Sequence, residues 1–302
     1  MEFTAFQKKI AELLPNITLK MNEPMASHTS FRIGGPVEVM AFPESAEQLA
    51  DILKVSNELD CNCAILGAGT NVLAPDAGIS GLVICLKDHL DHMEKLEGDR
   101  IRVAGGVTMS RAAVFAAGLG LSGLEFAHGI PGTVGGGVYM NAGAYGGEIS
   151  MVCESVEVMS PDGVLSVIPA EKMGFSYRHS RLEDEGGVVV SATFALKSAD
   201  EASIREKMQE LMQKRKASQP LELPSAGSAF KRPVGGFAAA LIDQAGLKGF
   251  QIGGAGVSQK HAGFVVNLGG ATAADVLQVL GAVSDKVYEF SGIRLEPEVR
   301  IW

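Results

Sequence analysis

The chain has 302 residues, a length that favours two domains over one. Its formal net charge of -9 and pI near 5.2 argue against a nucleic-acid or membrane-surface binder, because both need a basic face. The N-terminal residues lack a long apolar stretch of the secretory kind, so we expect a cytoplasmic protein. The cysteines and histidines show no metal-ligand spacing, so we expect no metal centre, and buried thiols at Cys61, Cys63, Cys85 and Cys153.

Apolar periodicity predicts helices and strands along the first two hundred residues. Helices are expected over 2–14, where Pro15 ends the pattern, over 45–57, where Ser45 is the cap, and over 109–117. Strands are expected at 37–42, 82–86, 101–104, 155–159, 164–168 and 188–196, with 82–86 and 101–104 as neighbours. Most connections are too short for helical crossovers, which predicts a largely antiparallel or mixed α+β region.

The composition changes near Ser198. A long charged helix is predicted over 200–219, followed by helices over 236–245 and 273–290, the last capped by Thr272. A strand is expected at 264–267, and a final strand at 299–302 fits either domain. We therefore expect one domain over residues 1–200, with two α+β subdomains, and a second α+β domain over 201–302.

Glycine is concentrated in two segments, 64–73 and 128–148, and the second contains eight glycines. Glycine loses more conformational freedom on folding than any other residue, so such density indicates sharp turns or backbone lying against a ligand. We interpret 128–148 as a ligand-cradling loop. A flexible linker would not carry Ile130, Val134 and Val138, and a membrane span would not tolerate Pro131 and three consecutive glycines.

Two glycine loops whose amides converge suggest an anionic ligand such as a dinucleotide. The Rossmann pattern fails in the first loop, because Val72 stands where a third glycine is required after Gly67 and Gly69. The one full match, residues 118–123, follows a predicted helix instead of a strand. A P-loop is excluded because the chain contains no Gly-Lys dipeptide.

Arg178, Ser228 and Glu298 stand beside glycine, aromatic or proline residues. From spacing alone, the arginine would be a surface ion-pair partner, the serine a turn cap and the glutamate a solvent-facing residue. From the residues alone, these structural interpretations are preferred over catalytic roles.

Seven segments together resemble the UDP-N-acetylenolpyruvoylglucosamine reductase family of flavoenzymes; they are residues 29–35, 66–73, 129–136, 176–178, 226–231, 241–248 and 295–300. The resemblance covers nearly the whole chain. It implies an α+β protein with the FAD-binding fold shared with vanillyl-alcohol oxidase and a C-terminal substrate-binding domain. It further implies reduction of UDP-N-acetylglucosamine enolpyruvate to UDP-N-acetylmuramate in peptidoglycan precursor synthesis, with non-covalent FAD and with NADPH as the reductant.

The resemblance also carries residue roles. It implies FAD contacts from Gly67, Ala68, Gly69, Thr70, Asn71, Val72, Ile130, Pro131, Gly132, Gly135, Gly136, Asn141, Gly143 and Ala144. Arg178 and Glu298 correspond to the active-site pair, Ser228 to the proton donor, and Lys231 to a substrate or phosphate contact.

These roles suit the residues. Arg178 would stabilise the enolate-like charge formed beside the substrate carboxylate, since its cation is permanent and bidentate. Glu298 would have to be protonated, or act through Arg178 or water. Ser228 would protonate a strongly basic carbon, and Lys231 would ease its ionisation.

Two features depart from the family pattern. Residues 179–187 leave no room for the longer tyrosine-bearing substrate flap of one subtype, so the chain resembles the shorter type. Gly263 stands where the family commonly has asparagine, which puts any contact made there in doubt.

Two other classes of function stay open at this point. One is an FAD-dependent hydroxy-acid or alcohol oxidase or dehydrogenase of the same fold, and the other is a non-catalytic flavin- or nucleotide-binding module. Many such oxidases attach flavin to a loop histidine, but His128 lies just outside the second glycine motif and neither motif contains one. The sequence does not determine the oligomeric state, and we favour a monomer.

Overall fold

The computed structural model describes residues 4–302. The α-helices in this range are α1 Ala5–Leu13, α2 Ala46–Glu58, α3 Met109–Gly118, α4 Val134–Tyr139, α5 Leu182–Glu185, α6 Glu201–Ser218, α7 Ala238–Gln244 and α8 Ala273–Ser291. The predicted helix over 2–14 corresponds to α1, although its first apolar residue, Phe3, lies outside the described residues. Thr4 and Gln7 cap α1 reciprocally.

The strands are short, and most follow a turn or a glycine. In chain order they are β1 Thr18–Pro24, β2 Pro36–Phe42, β3 Cys63–Leu66, β4 Val72–Leu73, β5 Ile79–Cys85, β6 Met93–Lys95, β7 Arg100–Ala104, β8 Leu121–Ser122, β9 Gly143–Ala144, β10 Gly147–Glu148, β11 Cys153–Met159, β12 Leu165–Pro169, β13 Val188–Ala195, β14 Lys197–Ser198, β15 Ser225–Ser228, β16 Gln251–Ile252, β17 Ala255–Val257, β18 Phe264–Asn267 and β19 Arg300–Ile301.

The chain forms two compact units, and neither is continuous in sequence. The first comprises residues 1–21, 38–68 and 80–214, of which 1–3 are not described, and the second comprises 22–37, 69–79 and 215–302. The expected division into an FAD-binding region over 1–200 and a substrate-binding domain over 201–302 stays a prediction.

Two sheets lie wholly or largely in the first unit. One is antiparallel, in the order β12-β11-β13-β7-β6, and the other has the order β1-β2-β5-β3, with β3 and β5 parallel. The expected mixed α+β region is therefore confirmed. Apolar side chains of α1, α2, α3 and these strands form one core, which includes Ile10, Leu49, Ile84, Ile101 and Phe194.

The prediction that 82–86 and 101–104 are neighbouring strands is wrong. The first run belongs to β5, which pairs in parallel with β3 through Cys63 and Leu82, whereas the second is β7, which pairs with β13 and β6. Strands adjacent in sequence usually pair, but a short apolar run does not specify its partner. After β3, residues 69–79 belong to the second unit, and the chain then continues in the first unit as β5.

The expectation of four buried thiols is correct for Cys85 and Cys153 only, since Cys61 and Cys63 are half-buried. Burial nevertheless raises the pKa of Cys63 to about 11 and that of Cys153 to about 12. Thiols of this kind are poor nucleophiles at neutral pH.

The second unit has an antiparallel sheet in the order β15-β18-β17-β16, against which α8 packs. Val276, Leu280, Val283 and Val287 recur at helical spacing along α8 and are buried. Thr272 caps the helix as predicted. The core also contains Phe31, Ile33 and Leu73, which come from the N-terminal part of the chain.

The last strand, β19, pairs in parallel with β4, and both belong to the second unit. Among the described residues, none of the helices has the length and hydropathy needed to cross a membrane. The same residues contain no group of three or more His, Cys, Asp or Glu side chains that could hold a metal ion.

Candidate active site

The first glycine segment connects β3 to β4. Gly69 has a φ of +59°, and a Cβ built there would lie 2.1 Å from the carbonyl oxygen of His28. The carbonyl oxygen of Gly69 accepts a hydrogen bond of 3.0 Å from Ser30 N. The chain's own backbone therefore requires glycine at this position, whether or not a ligand is bound.

The second glycine segment is partly helical. Our expectation of a loop over 128–148 is wrong for α4, which contains Gly135, Gly136 and Gly137. Glycine weakens a helix by roughly 1 kcal/mol relative to alanine. Here the helix is supported by the Thr133 cap, which accepts from Gly136 N at 3.3 Å, and by packing against β13.

Close packing explains two of the three glycines of α4. Gly135 N donates to Gly105 O at 2.9 Å, and a Cβ on Gly135 would lie 3.0 Å from that oxygen. A Cβ on Gly137 would lie 2.8 Å from the sulfur of Met109. These glycines let α4 lie directly against the turn after β7 and against α3.

The two glycine segments meet in the first unit. A Cβ on Gly67 would lie 2.4 Å from Thr133 Oγ1. Around this contact Gly136 and Pro131 are exposed and Ala68 is half-buried. A Cβ on Gly136 would have its nearest neighbour, Thr133 Oγ1, at 3.6 Å. This accessible backbone surface, poor in side chains, fits a dinucleotide cofactor.

Asn141, one of the predicted cofactor residues, is only 1 % exposed, and both its amide oxygen and its amide nitrogen have protein partners. Its Oδ1 accepts from Ser150 N at 2.9 Å. Its Nδ2 donates to Ser176 O at 3.1 Å and to Glu148 Oε1 at 3.2 Å. These bonds connect the glycine segment to the turn that carries Arg178.

Arg178 lies in a tight turn closed by two backbone hydrogen bonds between Ser176 and His179, of 3.1 and 3.3 Å. Its φ is +56°, an uncommon conformation for a residue with a side chain. The guanidinium stacks on the ring of Tyr177 at 5.1 Å. Ser180, which is fully buried, donates to Tyr139 O at 2.8 Å and attaches the turn to the end of α4.

Ser228, Lys231 and Glu298 belong to the second unit, which brings their backbones together. Glu298 N donates to Ala229 O at 2.9 Å, and Lys231 N donates to Glu296 O at 2.9 Å. Ser228 is exposed at the end of β15, opposite Phe264 of β18. Lys231 Nζ also lies 3.7 Å from Glu296 Oε2.

The same unit joins this cluster to the first glycine segment. Asn71 Nδ2 donates to Glu298 O at 3.1 Å, and Arg300 N donates to Asn71 O at 2.9 Å. The strand pair β4 and β19 continues this contact through Val72 and Leu73. Arg178 belongs to the first unit. The predicted roles of all these residues stay predictions.

Gly263, which departs from the family pattern, is confined by its neighbours. A Cβ there would lie 3.0 Å from His261 Cε1 and 3.1 Å from Ala239 Cβ. Gly263 N donates to His261 Nδ1 at 3.1 Å, and burial lowers the pKa of His261. The neutral imidazole of His261 therefore accepts a hydrogen bond from Gly263 N. The close His261 and Ala239 side chains leave little room for an asparagine side chain at position 263.

Sequence reasoning did not single out Glu148 or Ser180. A signal for Glu148 was present, since no Asp, Lys or Arg occurs from Phe126 to Gly147 and Glu148 ends that uncharged stretch. A carboxylate that ends a glycine-rich segment next to a polar cluster is a candidate for holding it in place.

The fold and its glycine segments define an FAD-binding flavoprotein with an additional C-terminal α+β region. Residues 37–168 match the family model described as FAD binding domain. Residues 219–302 match that of UDP-N-acetylenolpyruvoylglucosamine reductase, C-terminal domain. BBE-like 1 from Physcomitrella patens shares the fold at a TM-score of 0.50 and 12% identity, covering 65% of this chain and 45% of that one.

Two relatives with higher sequence identity carry the name of one enzyme. The UDP-N-acetylenolpyruvoylglucosamine reductase of Syntrophomonas wolfei is 45% identical, over 97% of this chain and 98% of its own. The crystal structure of UDP-N-acetylenolpyruvylglucosamine reductase from Thermus caldophilus matches with a TM-score of 0.80 and 36% identity, covering 95% of this chain and 99% of that one. The chain belongs to the UDP-N-acetylenolpyruvoylglucosamine reductase family. This confirms the resemblance and the expected fold class.

Proposed function

We propose that the chain reduces UDP-N-acetylglucosamine enolpyruvate to UDP-N-acetylmuramate, with FAD as cofactor and NADPH as co-substrate, in peptidoglycan precursor synthesis. The observation that carries this function is the match at 45% identity over 97% of the chain and 98% of a relative named for the reaction. No observation favours the oxidase or the non-catalytic module over it.

The two glycine segments are proposed to hold FAD. Gly67, Ala68, Pro131, Gly132 and Gly136 are half-buried or exposed, whereas Gly69 and Gly135 are buried and act by allowing the chain to pack. Thr70, Asn71, Val72 and Ile130 continue the two segments, and Asn141, Gly143 and Ala144 extend the second. When bound, FAD supplies the redox chemistry, accepting a hydride from NADPH and delivering one to the enolpyruvyl methylene carbon.

Arg178 is proposed to bind the carboxylate of the enolpyruvyl group. Hydride addition leaves negative charge on the neighbouring carbon and carboxylate, and a guanidinium can stabilise both carboxylate oxygens at once. The hydrogen bonds that hold the 176–179 turn favour this role. A guanidinium that is already in place before the reaction does not have to reorganise while charge develops on the substrate.

Ser228 is proposed to donate the proton that completes the reduction. The proton moves from Ser228 Oγ to the carbon beside the carboxylate, and the serine recovers a proton from solvent. Exposure of Ser228 at the end of β15, and its proximity in sequence to Lys231, support this role. Glu298, held by the backbone contact to Ala229, is proposed to act as a neutral acid or through water.

Cytoplasmic location and a monomeric state are proposed as well. NADPH is a cytoplasmic reductant, which supports the location.

The test separates the two half-reactions by stopped-flow absorbance of the flavin. Ser228→Ala should leave flavin reduction by NADPH near the wild-type rate but slow reoxidation by the enolpyruvyl substrate at least ~100-fold, since general acid catalysis contributes roughly 10²- to 10⁴-fold. Ser228→Cys should recover part of the rate, because a thiol also donates a proton.

Ser291→Ala, at the end of α8, is the matched control and should behave as wild type. Normal reoxidation in Ser228→Ala would remove the serine from the reaction. An equal loss in both half-reactions would indicate damage to the fold.

A further inference from the structure

The turn that carries Arg178 depends on contacts from outside the turn. Arg178 has a φ of +56°, which is unfavourable for a residue with a Cβ and persists only when neighbouring structure enforces it. Two side-chain hydrogen bonds contribute to this support: Asn141 Nδ2 donates to Ser176 O, and Ser180 Oγ donates to Tyr139 O. Of these two, Asn141 binds the turn itself.

Asn141 is itself in an uncommon conformation, with a φ of +42°, and its amide must point in one direction. Its oxygen faces the Ser150 N–H, while its nitrogen faces two acceptors, Ser176 O and Glu148 Oε1. A flipped amide would place a donor against a donor and an oxygen against two oxygens. An ionised carboxylate only accepts, so Glu148 strengthens the one orientation that reaches Ser176.

Glu148 is placed for this contact by a two-strand hairpin. It pairs with Gly143 across β9 and β10, and a Cβ on Gly143 would lie only 2.8 Å from Glu148 Cβ. Ser150 Oγ donates to the same carboxylate oxygen that accepts from Asn141. Gly143 therefore gives Glu148 the room it needs, which is a reason for glycine at 143 independent of any cofactor.

We propose that Glu148 is a positioning residue for the reaction. It holds the amide of Asn141, and through that amide the carbonyl of Ser176, so that the Arg178 guanidinium is presented in one place to the enolpyruvyl carboxylate. The inference rests on the proposed function of Arg178. Glu148 acts on Arg178 through Asn141 and Ser176, so its effect is confined to the step that needs the arginine.

The test compares Glu148→Ala with Glu148→Gln in the FAD-loaded enzyme. In Glu148→Ala, reoxidation of reduced flavin by the enolpyruvyl substrate should slow by about 10- to 100-fold, the size of effect expected when a reacting group is misplaced by about 1 Å. FAD content and reduction by NADPH should stay within about twofold of wild type, because the arginine serves only the second step. Glu148→Gln should retain most of the rate, since its amide oxygen still accepts from Asn141.

A measurement that does not depend on turnover accompanies the kinetics. Amide hydrogen exchange, followed by mass spectrometry, should rise in the 174–181 segment of Glu148→Ala and not in Glu148→Gln. Glu154→Ala is the matched control, because this glutamate forms a half-exposed ion pair with Arg100 outside the cluster. It should change neither the kinetics nor the exchange of 174–181.

The double variant Arg178→Ala/Glu148→Ala distinguishes positioning from general damage. If Glu148 acts through Arg178, the double variant should reoxidise no more slowly than Arg178→Ala alone, whereas independent effects would multiply. Multiplied losses, or a loss of FAD from Glu148→Ala with normal reoxidation in the loaded fraction, would overturn the inference. Normal reoxidation in Arg178→Ala itself would instead remove the proposed role of the arginine.

Discussion

Glycine serves two different purposes in the candidate site. At Gly69 and Gly135 an added Cβ would meet a backbone oxygen of the same unit, at 2.1 and 3.0 Å respectively. At Gly136 it would meet only Thr133 Oγ1 at an ordinary 3.6 Å. The amino-acid sequence shows the density of glycine but not this difference, which depends on neighbours far along the chain. Substitution of Gly69 therefore would not distinguish lost packing from lost cofactor binding.

Gly136→Val should weaken FAD binding at least about tenfold, equivalent to roughly 1.4 kcal/mol, because the new side chain occupies the accessible face of α4 without striking the backbone. The measurement is flavin content after gel filtration, followed by titration with FAD under fluorescence quenching. Gly281→Val is the control, since Gly281 lies in α8, is exposed, and has no atom within 4 Å of a built Cβ. Wild-type FAD affinity in Gly136→Val would exclude this face of α4 from the cofactor site.

The start of α8 shows how an element can depend on residues that its own sequence does not contain. Thr272 caps the helix locally, as the sequence predicts. Asp76, 197 positions earlier, accepts from Ala273 N at 2.8 Å and also bonds Ala274 N at 3.1 Å. Asp275 accepts from Thr272 N and from Gly254 N, each at 3.1 Å. The helix start is therefore held by carboxylates from within and from outside the helix.

Asp275 should make the stability of this helix depend on pH. Hydrogen bonds from the Thr272 and Gly254 backbones lower the pKa of the carboxyl below its ordinary value of 3.8. Because the folded state favours the ionised form, the stabilisation is fully present above the unfolded pKa and is lost as the pH falls through the folded pKa. Asp275→Asn should thus be less stable than wild type above about pH 5, and the difference should shrink below about pH 4.

Urea unfolding at a series of pH values measures this difference. Asp285→Asn is the control, because Asp285 lies on the same helix in an exposed ion pair with Arg294 and should have a small effect throughout. A difference between Asp275→Asn and wild type that stays constant down to pH 3 would contradict the assignment.

Helices with a strong apolar stripe were predictable from the sequence, and strand partners were not. The predicted 109–117 and 273–290 differ from α3 and α8 by one residue at the C-terminus. The partners of β5 and β7 depend on pairings that periodicity does not encode. α4 was missed because three consecutive glycines disfavour a helix, and only the surrounding packing reverses that preference.

The candidate site was partly predictable. The glycine segments indicated a dinucleotide from their composition, but Arg178, Ser228 and Glu298 were singled out by resemblance to a family, since each has an ordinary structural interpretation on its own. Glu148 and Ser180 were not found, because their partners Asn141 and Tyr139 can be identified only from the folded backbone. Such side-chain hydrogen bonds leave no periodic pattern in the amino-acid sequence from which they could be predicted.

At the scale of the whole molecule, the second unit is assembled from three separate stretches of chain. Its core includes Phe31, Ile33 and Leu73 beside the residues of β15 to β18 and α8. Asn267 Nδ2 donates to Phe31 O at 3.0 Å, and β19 needs β4 as its partner. The region matched by the C-terminal family model, residues 219–302, therefore contains only part of this core.

The fragment comprising residues 219–302 should not fold cooperatively by itself, because it lacks three buried apolar side chains and the partner of its last strand. Far-UV circular dichroism during heating should show a broad, gradual change for the fragment and a sharp transition for the whole chain under the same conditions. A sharp thermal transition in the fragment would mean that these N-terminal contributions are dispensable.

The three-part composition of the second unit has a consequence for biosynthesis. Phe31, Ile33 and Leu73 leave the ribosome early, but β19, which pairs with β4 at Val72 and Leu73, is translated only after the roughly 220 residues 80–299. At a translation rate of roughly 5–20 residues per second, this interval is about 10–45 s. Until β15 to β18 and α8 have been translated, the apolar side chains of Phe31, Ile33 and Leu73 lack most of their partners in this core, whereas β11 and β13 of the first unit have already been made and can pair. The nascent chain is thus a half-folded intermediate with exposed apolar side chains, the kind of species that chaperones retain and that aggregates when synthesis stalls.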